Sequence, residues 1–224
     1  MPTLAMIHTG PVVIKPINDL VRTLMPDLAR LNLMDDGIVS AIEREGTVTD
    51  AVRSRLEHLG ASAVAAGADA ILVTCSSISE LTAGVAQSSG LPVFKIDEAM
   101  AEEAVRMGER IGVVATLPTT LEPTCRQIES KAVELGRTIN IERRLCREAF
   151  ERLSTGDEAG HDQIVQQAVE DLAKDHDVVV LAQVSMARLV PSLKNLRAPV
   201  LSSPELGVRW VRDALARRGL TEAA

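Results

Sequence analysis

The segment Asp69-Ala70-Ile71-Leu72-Val73-Thr74-Cys75-Ser76-Ser77-Ile78-Ser79-Glu80 decides the fold predicted for this chain. Its first half is a short apolar run rich in β-branched residues, which is typical of a buried parallel strand. A thiol and three hydroxyls follow, and Ser77 and Glu80 have the Ser-x-x-Glu spacing of a capping box. The segment therefore predicts a strand that ends near Thr74 and a helix that begins right after Cys75.

Cys75 is the candidate reactive residue of this segment. A thiol at a helix N-terminus lies among unpaired backbone N–H groups and at the positive end of the helix dipole, and both lower a thiol pKa. We therefore expect a thiolate near neutral pH. The alternative is a buried structural cysteine, because free Cys is among the most buried residue types. Cys125, expected inside a helix, and Cys146, expected just after a strand, are predicted to be inert.

Outward from this segment the chain repeats itself at an offset of 107 to 108 residues. The stretch 177–185 lies over 69–77, 111–116 over 4–9, and 198–201 over 91–94. Each copy alternates strands with helices, which is typical of a parallel sheet with helices on both faces. We predict an α/β fold of two pseudo-twofold-related lobes, each a four-stranded parallel sheet flanked by helices, with the active-site cleft between them.

The repeat also predicts where the chain divides. We place an N-terminal lobe at residues 1–108 and a C-terminal lobe at 109–224, with the last helix free to cross back to the first lobe. Within the lobes, helices are expected over about 16–29, 49–66 and 157–174, and no helix is assigned between Gly37 and Thr49.

Polar side chains gather where the first and third strands of each half end. Open α/β sheets bind ligands at the carboxyl ends of their strands, so these residues would converge on one cleft. Thr119 and Glu122 repeat the capping-box spacing, and helix N-termini favour an anion such as a carboxylate. The candidates for substrate binding are His8, Thr9, Thr74, Ser76, Ser77, Thr116, Thr119, Thr120, Val184 and Ser185. Ordinary helix capping is the alternative for each hydroxyl, and a histidine bonded to its neighbours is the alternative for His8.

Composition excludes several classes of function. A net charge of −7 with 1% aromatic residues argues against a nucleic-acid partner. No apolar run has the length of a membrane span, and three isolated cysteines favour a cytoplasmic protein without disulfides or a zinc site. Neither a dinucleotide-binding nor a phosphate-binding glycine motif is present, so no cofactor and no metal are expected. His58, His161 and His176 lie on polar stretches and are expected to be solvated.

The duplicated halves carry a family resemblance. The motifs Val73-Thr74-Cys75-Ser76-Ser77, Ile111–Thr116 with Thr119-Thr120, and Val180–Ala187 resemble the aspartate/glutamate/hydantoin racemase superfamily, which includes maleate isomerases and arylmalonate decarboxylases. The resemblance covers essentially the whole chain. It implies cofactor-free chemistry at a carbon next to a carboxylate, with one cysteine from each half flanking the substrate. The first of these cysteines maps onto Cys75.

The second half departs from that pattern, because Gln183 stands where the second cysteine would be. A glutamine amide neither takes nor gives a proton as a thiol does. We therefore expect a racemase or isomerase acting on a small carboxylic acid, with Cys75 as its thiolate and Gln183 orienting the substrate. The alternatives are a one-cysteine decarboxylase or lyase, and a binding protein without turnover. Assembly into a homo-oligomer is left open.

Overall fold

The computed structural model describes residues 1–221 and confirms the predicted α/β architecture. The strands are β1 (Thr3–His8), β2 (Ala29–Met34), β3 (Ala70–Val73), β4 (Val93–Lys95), β5 (Arg110–Ala115), β6 (Asn140–Leu145), β7 (Val178–Leu181) and β8 (Val200–Ser202). The helices are α1 (Ile14–Leu24), α2 (Gly37–Glu45), α3 (Asp50–Ala65), α4 (Thr82–Ser89), α5 (Glu98–Met107), α6 (Pro118–Glu134), α7 (Arg147–Ser154), α8 (Glu158–Leu172) and α9 (Ser203–Arg217). Three 3₁₀ segments cover Pro11–Val13, Ser76–Leu81 and Val184–Leu193. No helix in the described part of the chain combines the length and the apolarity needed to cross a bilayer.

Two four-stranded parallel sheets have the same strand order, β2-β1-β3-β4 and β6-β5-β7-β8. The central register is also the same in both. Leu4 of β1 pairs with Ala70 of β3, and Ile111 of β5 pairs with Val178 of β7, so the second pair lies 107 and 108 residues further along the chain. The paired residues of the two sheets are therefore separated by the same offset that the sequence repeat shows.

An aspartate before the third strand fixes the start of each sheet in the same way. Asp69 accepts a hydrogen bond from the backbone N–H of Thr3 at 2.8 Å, and Asp177 accepts one from that of Arg110 at 2.9 Å. Arg110 also donates through its guanidinium, and these bonds lower the pKa of Asp177 to about 2. The repeat thus extends from strand order to individual side chains.

The chain forms two compact units, one of residues 1–97 with the segment from Pro204 onward, and one of residues 98–203. The boundary expected from the sequence, near Gly108, lies at the other end of α5, which groups with the second unit. The last helix, α9, groups with the first unit.

Side chains alternate between the two faces of each sheet, and along the central strands those on both faces are buried. In the first unit Ala5 and Ile7 of β1 pack with the apolar sides of α2, α3 and α4, while Leu4 and Met6, on the opposite face, are equally inaccessible. In the second unit α7 and α8 pack with Val114 and residues of β7. Because both faces are covered, the polar chemistry of each sheet is confined to its edges and ends.

Two local features differ from the expectations. Helix α1 ends at Leu24 instead of continuing to about residue 29, because Pro26 follows and β2 starts at Ala29. Helix α2 occupies the stretch for which no helix was assigned, and its Ile38 and Ile42 join the core. Helix α2 has only 9 residues, and an apolar repeat over so short a stretch is difficult to recognise in a sequence.

Helix α9 is tied to the first unit by an aromatic pair and by a glycine. Trp210 meets Phe94 of β4 edge to face, with ring centroids 5.4 Å apart. Gly207 lies so close to the chain just after β4 that a Cβ atom there would stand 2.1 Å from the carbonyl oxygen of Ile96. A backbone carbonyl cannot move away as a side chain can, so the contact requires glycine.

We predict that Gly207→Ala lowers the free energy of unfolding by about 1–3 kcal/mol, because the added methyl group forces α9 away from the sheet. Gly84→Ala is the matched control, since it also lies in a helix but its Cβ would meet only the Glu57 side chain at 3.6 Å. That change should be neutral or stabilise the protein by up to about 1 kcal/mol. Urea unfolding of both variants measures the difference. Equal stability of the two would contradict this docking of α9.

Candidate active site

Cys75 lies directly after β3, at the carboxyl edge of the first sheet. Its backbone is extended, with φ −128° and ψ 120°, and it precedes the 3₁₀ segment Ser76–Leu81, which leads into α4. The predicted capping box is therefore wrong. Cys75 itself occupies the N-cap position, without a side-chain cap, and the first turn is 3₁₀ rather than α-helical. The N-cap thus lies two residues earlier than the Ser77–Glu80 spacing indicated.

The sulfur of Cys75 is surrounded by hydrogen-bond donors. The side chain of Thr9 and both the backbone and the side chain of Ser77 bond to it. Cys75 keeps part of its surface exposed, but its dense surroundings desolvate the sulfur. This burial outweighs the three donors and raises the pKa of the Cys75 thiol above its ordinary value. The expectation of a lowered thiol pKa is therefore wrong for the resting protein, in which Cys75 is a protonated thiol at neutral pH.

His8 and Thr74 are fully enclosed beside this turn and are bonded to one another. The Nδ1 atom of His8 lies 2.8 Å from the Thr74 hydroxyl, and its Nε2 atom lies 2.9 Å from the Asn32 side-chain oxygen. Burial lowers the pKa of His8, which keeps the ring neutral. Since both ring nitrogens are occupied within the first unit, the geometry favours the structural role for His8 over proton transfer.

Asp97 is a buried carboxylate that the sequence reasoning missed. It lies between β4 and α5 with no exposed surface. The hydroxyl of Ser79 stands 3.1 and 3.0 Å from its two oxygens, and the side chain of Ser76 also bonds to it. Burial raises the pKa of Asp97 despite these donors. In the sequence, Asp97-Glu98 resembles the ordinary acidic start of a helix, so Asp97 was not recognised as a candidate site residue.

The second unit repeats the turn with an amide in place of the thiol. Gln183 follows β7, has φ −118° and ψ 136°, and precedes the 3₁₀ segment Val184–Leu193. Its side-chain oxygen accepts hydrogen bonds from the backbone N–H of Thr116 at 2.7 Å and from the Thr116 hydroxyl at 3.0 Å. The Thr116–Gln183 contact thus corresponds to the Thr9–Cys75 contact. Because the side-chain oxygen of Gln183 faces Thr116, its amide NH₂ group is directed away from Thr116.

Thr119 and Thr120 lie in the first turn of α6, but their predicted capping box does not form. Leu117 occupies the N-cap without a side-chain bond and Pro118 is the first helical residue, a position that proline favours. The Thr119 hydroxyl is enclosed and has no hydrogen-bond partner in the structure. Thr120 is buried, as is Val184, while Ser185 is half-buried.

The structure thus gathers Thr9, Cys75 and Ser77 in the first unit, and Thr116 with Gln183 in the second. The convergence of these two groups on one cleft stays a prediction.

The remaining cysteines and histidines lie outside these groups. Cys125 is inaccessible within α6, where burial raises its pKa to about 12, and burial also raises the pKa of Cys146, which follows β6. The prediction that His161 is solvated is wrong, because it is 1% exposed and bonds to Asp162 at 2.7 Å. His176 is also mostly enclosed. Within residues 1–221 no three His, Cys, Asp or Glu side chains are grouped as a metal site requires.

Comparison with known proteins places these features in a family. A model described as Asp/Glu/Hydantoin racemase matches residues 7–211. No curated protein sequence matches the chain significantly. Among solved structures, glutamate racemase from Francisella tularensis subsp. tularensis SCHU S4, in complex with D-glutamate, is 18% identical with a TM-score of 0.75, covering 100% of this chain and 84% of that one.

Two further structures share the fold. A proposed Asp/Glu racemase from Yersinia pestis is 18% identical with a TM-score of 0.70, covering 96% of this chain and 99% of that one. An unliganded arylmalonate decarboxylase is 19% identical with a TM-score of 0.58, covering 96% and 93%. At these identities the structural likeness shows the fold alone.

We predict that iodoacetamide modifies Cys75 before Cys146, and Cys146 before Cys125. Cys75 alone is partly exposed and has three donors that stabilise its thiolate, whereas Cys125 is inaccessible. The rate at Cys75 should rise steadily from neutral to alkaline pH, because its raised pKa leaves little thiolate at pH 7. Peptide mass spectrometry after partial labelling gives the order. Faster labelling of Cys125 would show that Cys75 is closed to solvent.

Proposed function

Because the chain belongs to the Asp/Glu/hydantoin racemase family, and so is a racemase-type enzyme, we propose that it moves a proton at the carbon next to a carboxylate of a small organic or amino acid. In this proposal Cys75 carries the proton, Gln183 replaces a second catalytic cysteine, and no cofactor takes part. The observation that carries the proposal is the placement of Cys75, a partly exposed thiol at the carboxyl edge of β3 with three hydrogen bonds to its sulfur.

The surroundings of the thiol suit proton transfer. A thiolate formed at Cys75 would accept the hydrogen bonds of Thr9 and Ser77, and these donors are in place before any reaction. Prearranged donors stabilise a developing charge without further reorganisation. The raised pKa means that the thiol must lose its proton before it can act as a base, whereas it can act as an acid directly.

Gln183 and Thr119 support binding of the carboxylate. The Gln183 oxygen is occupied by Thr116, so its NH₂ group is oriented as a donor. The Thr119 hydroxyl is enclosed without a partner, and burying such a group unpaired costs about 1–3 kcal/mol. A substrate oxygen would remove that cost. The other hydroxyls predicted to bind substrate have weaker support, since Thr74 is bonded to His8 and Ser76 to Asp97.

With one thiol, the reaction on the opposite face needs another proton carrier. The amide of Gln183 acts as neither an acid nor a base near neutral pH, so racemisation would return the proton from a group other than a second cysteine.

One observation favours a second candidate, a one-cysteine decarboxylation. The resting Cys75 is a thiol, which is the form that donates a proton. In such a reaction the bond from the α-carbon to one carboxylate breaks and carbon dioxide leaves. The electron pair stays on the α-carbon, and the thiol proton forms the new C–H bond. The thiolate then regains a proton from water. An arylmalonate decarboxylase shares this fold, which is why diacids belong in the substrate screen.

The substrate class, the absence of nucleic-acid or membrane partners, a cytoplasmic location and any homo-oligomer remain predictions. A binding protein without turnover is an outcome that the following experiment recognises.

We predict that the wild-type protein incorporates deuterium from D₂O at the α-carbon of at least one small carboxylic acid, and that Cys75→Ser reduces the rate about 100-fold or more. Serine keeps the size and hydrogen bonding of cysteine but does not ionise in the same range. Proton NMR of a panel containing both enantiomers of aspartate and glutamate, together with substituted malonates, measures the exchange and any loss of carbon dioxide.

Cys146→Ser is the matched control, because it changes the same atom at a position outside the proposed site and should leave the rate nearly unchanged. If the wild type binds an acid from the panel but neither exchanges its α-proton nor releases carbon dioxide, the binding-protein alternative is correct. If Cys75→Ser retains full activity, another residue carries the proton.

A further inference from the structure

Asp97 is unusual because its carboxylate is fully buried and is held by hydroxyl groups. Ser79 stands 3.1 and 3.0 Å from the two carboxylate oxygens, and Ser76 and the Asp97 backbone N–H complete the set of donors. Burying a carboxylate in this way is unfavourable, and burial raises the pKa of Asp97. A group that is this costly to bury requires an explanation.

The donors of Asp97 belong to the turn that carries Cys75. Ser76 is the residue after the thiol, and the Ser79 hydroxyl also lies 3.4 Å from the carbonyl oxygen of Cys75. Asp97 is thus bonded to both ends of the first 3₁₀ turn, and its charge acts on the sulfur. A carboxylate close to a thiol disfavours the thiolate, and Asp97 contributes to the raised pKa of Cys75.

The second unit shows that the fold does not need this carboxylate. At the positions that the repeat aligns with Ser76, Ser79 and Asp97 stand Val184, Ala187 and Pro204. A 3₁₀ segment nevertheless follows β7 as well, and Gln183 at its start has nearly the same backbone conformation as Cys75. A purely structural role, such as closing the start of α5, therefore leaves unexplained why the polar set occurs only in the half that holds the thiol.

We propose that Asp97 tunes Cys75: Ser76 and Ser79 hold its carboxylate against the turn that presents the sulfur, and from there its charge adds to the burial that keeps Cys75 a thiol in the resting protein. The inference rests on the proposed function of Cys75 as the proton carrier. Under it, the resting Cys75 is a proton donor, and its thiol must first lose its proton before Cys75 can take one from a substrate.

Three other titratable groups of the described residues lie near this pair. Lys95 of β4 acts electrostatically on Asp97 and favours its ionised form. His8, from the end of β1, is held neutral by burial with both ring nitrogens bonded. Glu80, at the far end of the same 3₁₀ segment, is exposed to solvent. Among these groups, Asp97 is the one whose charge acts on the thiol, and it does so in addition to burial.

The test is the pH dependence of Cys75 alkylation by iodoacetamide in the full-length protein. Asp97→Asn keeps the shape and removes the charge, so the pKa of Cys75 should fall, and labelling at pH 7 should speed up on the order of tenfold. Glu98→Gln is the matched control. It removes a neighbouring carboxylate that pairs with Lys131 at 2.9 Å, and it should leave the Cys75 profile unchanged.

The Ser79→Ala variant distinguishes an effect of the Asp97 charge from an effect of the turn structure on the pKa of Cys75. The variant keeps the Asp97 carboxylate and removes one of its donors, so the pKa of Cys75 should stay raised. A loosened turn would instead let water reach the sulfur, and the pKa would fall in Ser79→Ala and Asp97→Asn alike. That result, or an unchanged profile in Asp97→Asn, would overturn the proposal. If Asp97→Asn does not fold, a lowered Cys75 pKa in Ser79→Ala still overturns the proposal.

Alkylation requires no substrate, so this test is independent of turnover. Absence of both α-proton exchange and carbon dioxide release in the wild type would refute the proposed function while leaving the Asp97 profile interpretable. An unchanged profile with normal exchange would refute the role of Asp97 alone.

Discussion

The parallel pairing of the first and third strands in each sheet is the constraint on which the candidate site depends. Ile7 pairs with Val73, so the residues two positions further on, Thr9 and Cys75, leave the sheet side by side. Val114 pairs with Leu181, and the same geometry brings Thr116 to Gln183. Neither contact needs a special loop. Both follow from backbone hydrogen bonds between buried apolar strands, which is why a slip in register would remove the site together with the core.

Upon this shared geometry the two halves have acquired different chemistry. Thr9 and Thr116 are retained, while the residue each one contacts is a thiol in one half and an amide in the other. The polar residues behind the thiol, Ser79 and Asp97, have only apolar counterparts in the second half. Under the proposed function, the first half would control a proton and the second half would orient a donor.

The sequence predicted the strands, the repeat and the position of Cys75, because buried β-branched runs and their recurrence are strong local signals. It failed where local spacing competes with tertiary structure. Helix α6 begins at Pro118, before Thr119, which was expected to be its N-cap. The N-cap of the 3₁₀ segment after β3 is Cys75 and not Ser77. The direction of the Cys75 pKa was also wrong, since desolvation depends on packing that no motif records. Asp97 could have been found by aligning the halves and asking which polar residues occur in only one.

The central claim is that a small carboxylic acid binds beside a single protonated thiol. Labelling all three cysteines with ¹³C at Cβ and titrating the protein with carboxylic acids, including malonate and both enantiomers of glutamate, tests it directly by NMR. The Cβ resonance of Cys75 should have the chemical shift of a thiol at pH 7. It should move as an acid binds, while the resonances of Cys125 and Cys146 stay in place. A thiolate shift for Cys75 in the free protein, or binding that moves only the other two resonances, would contradict the account.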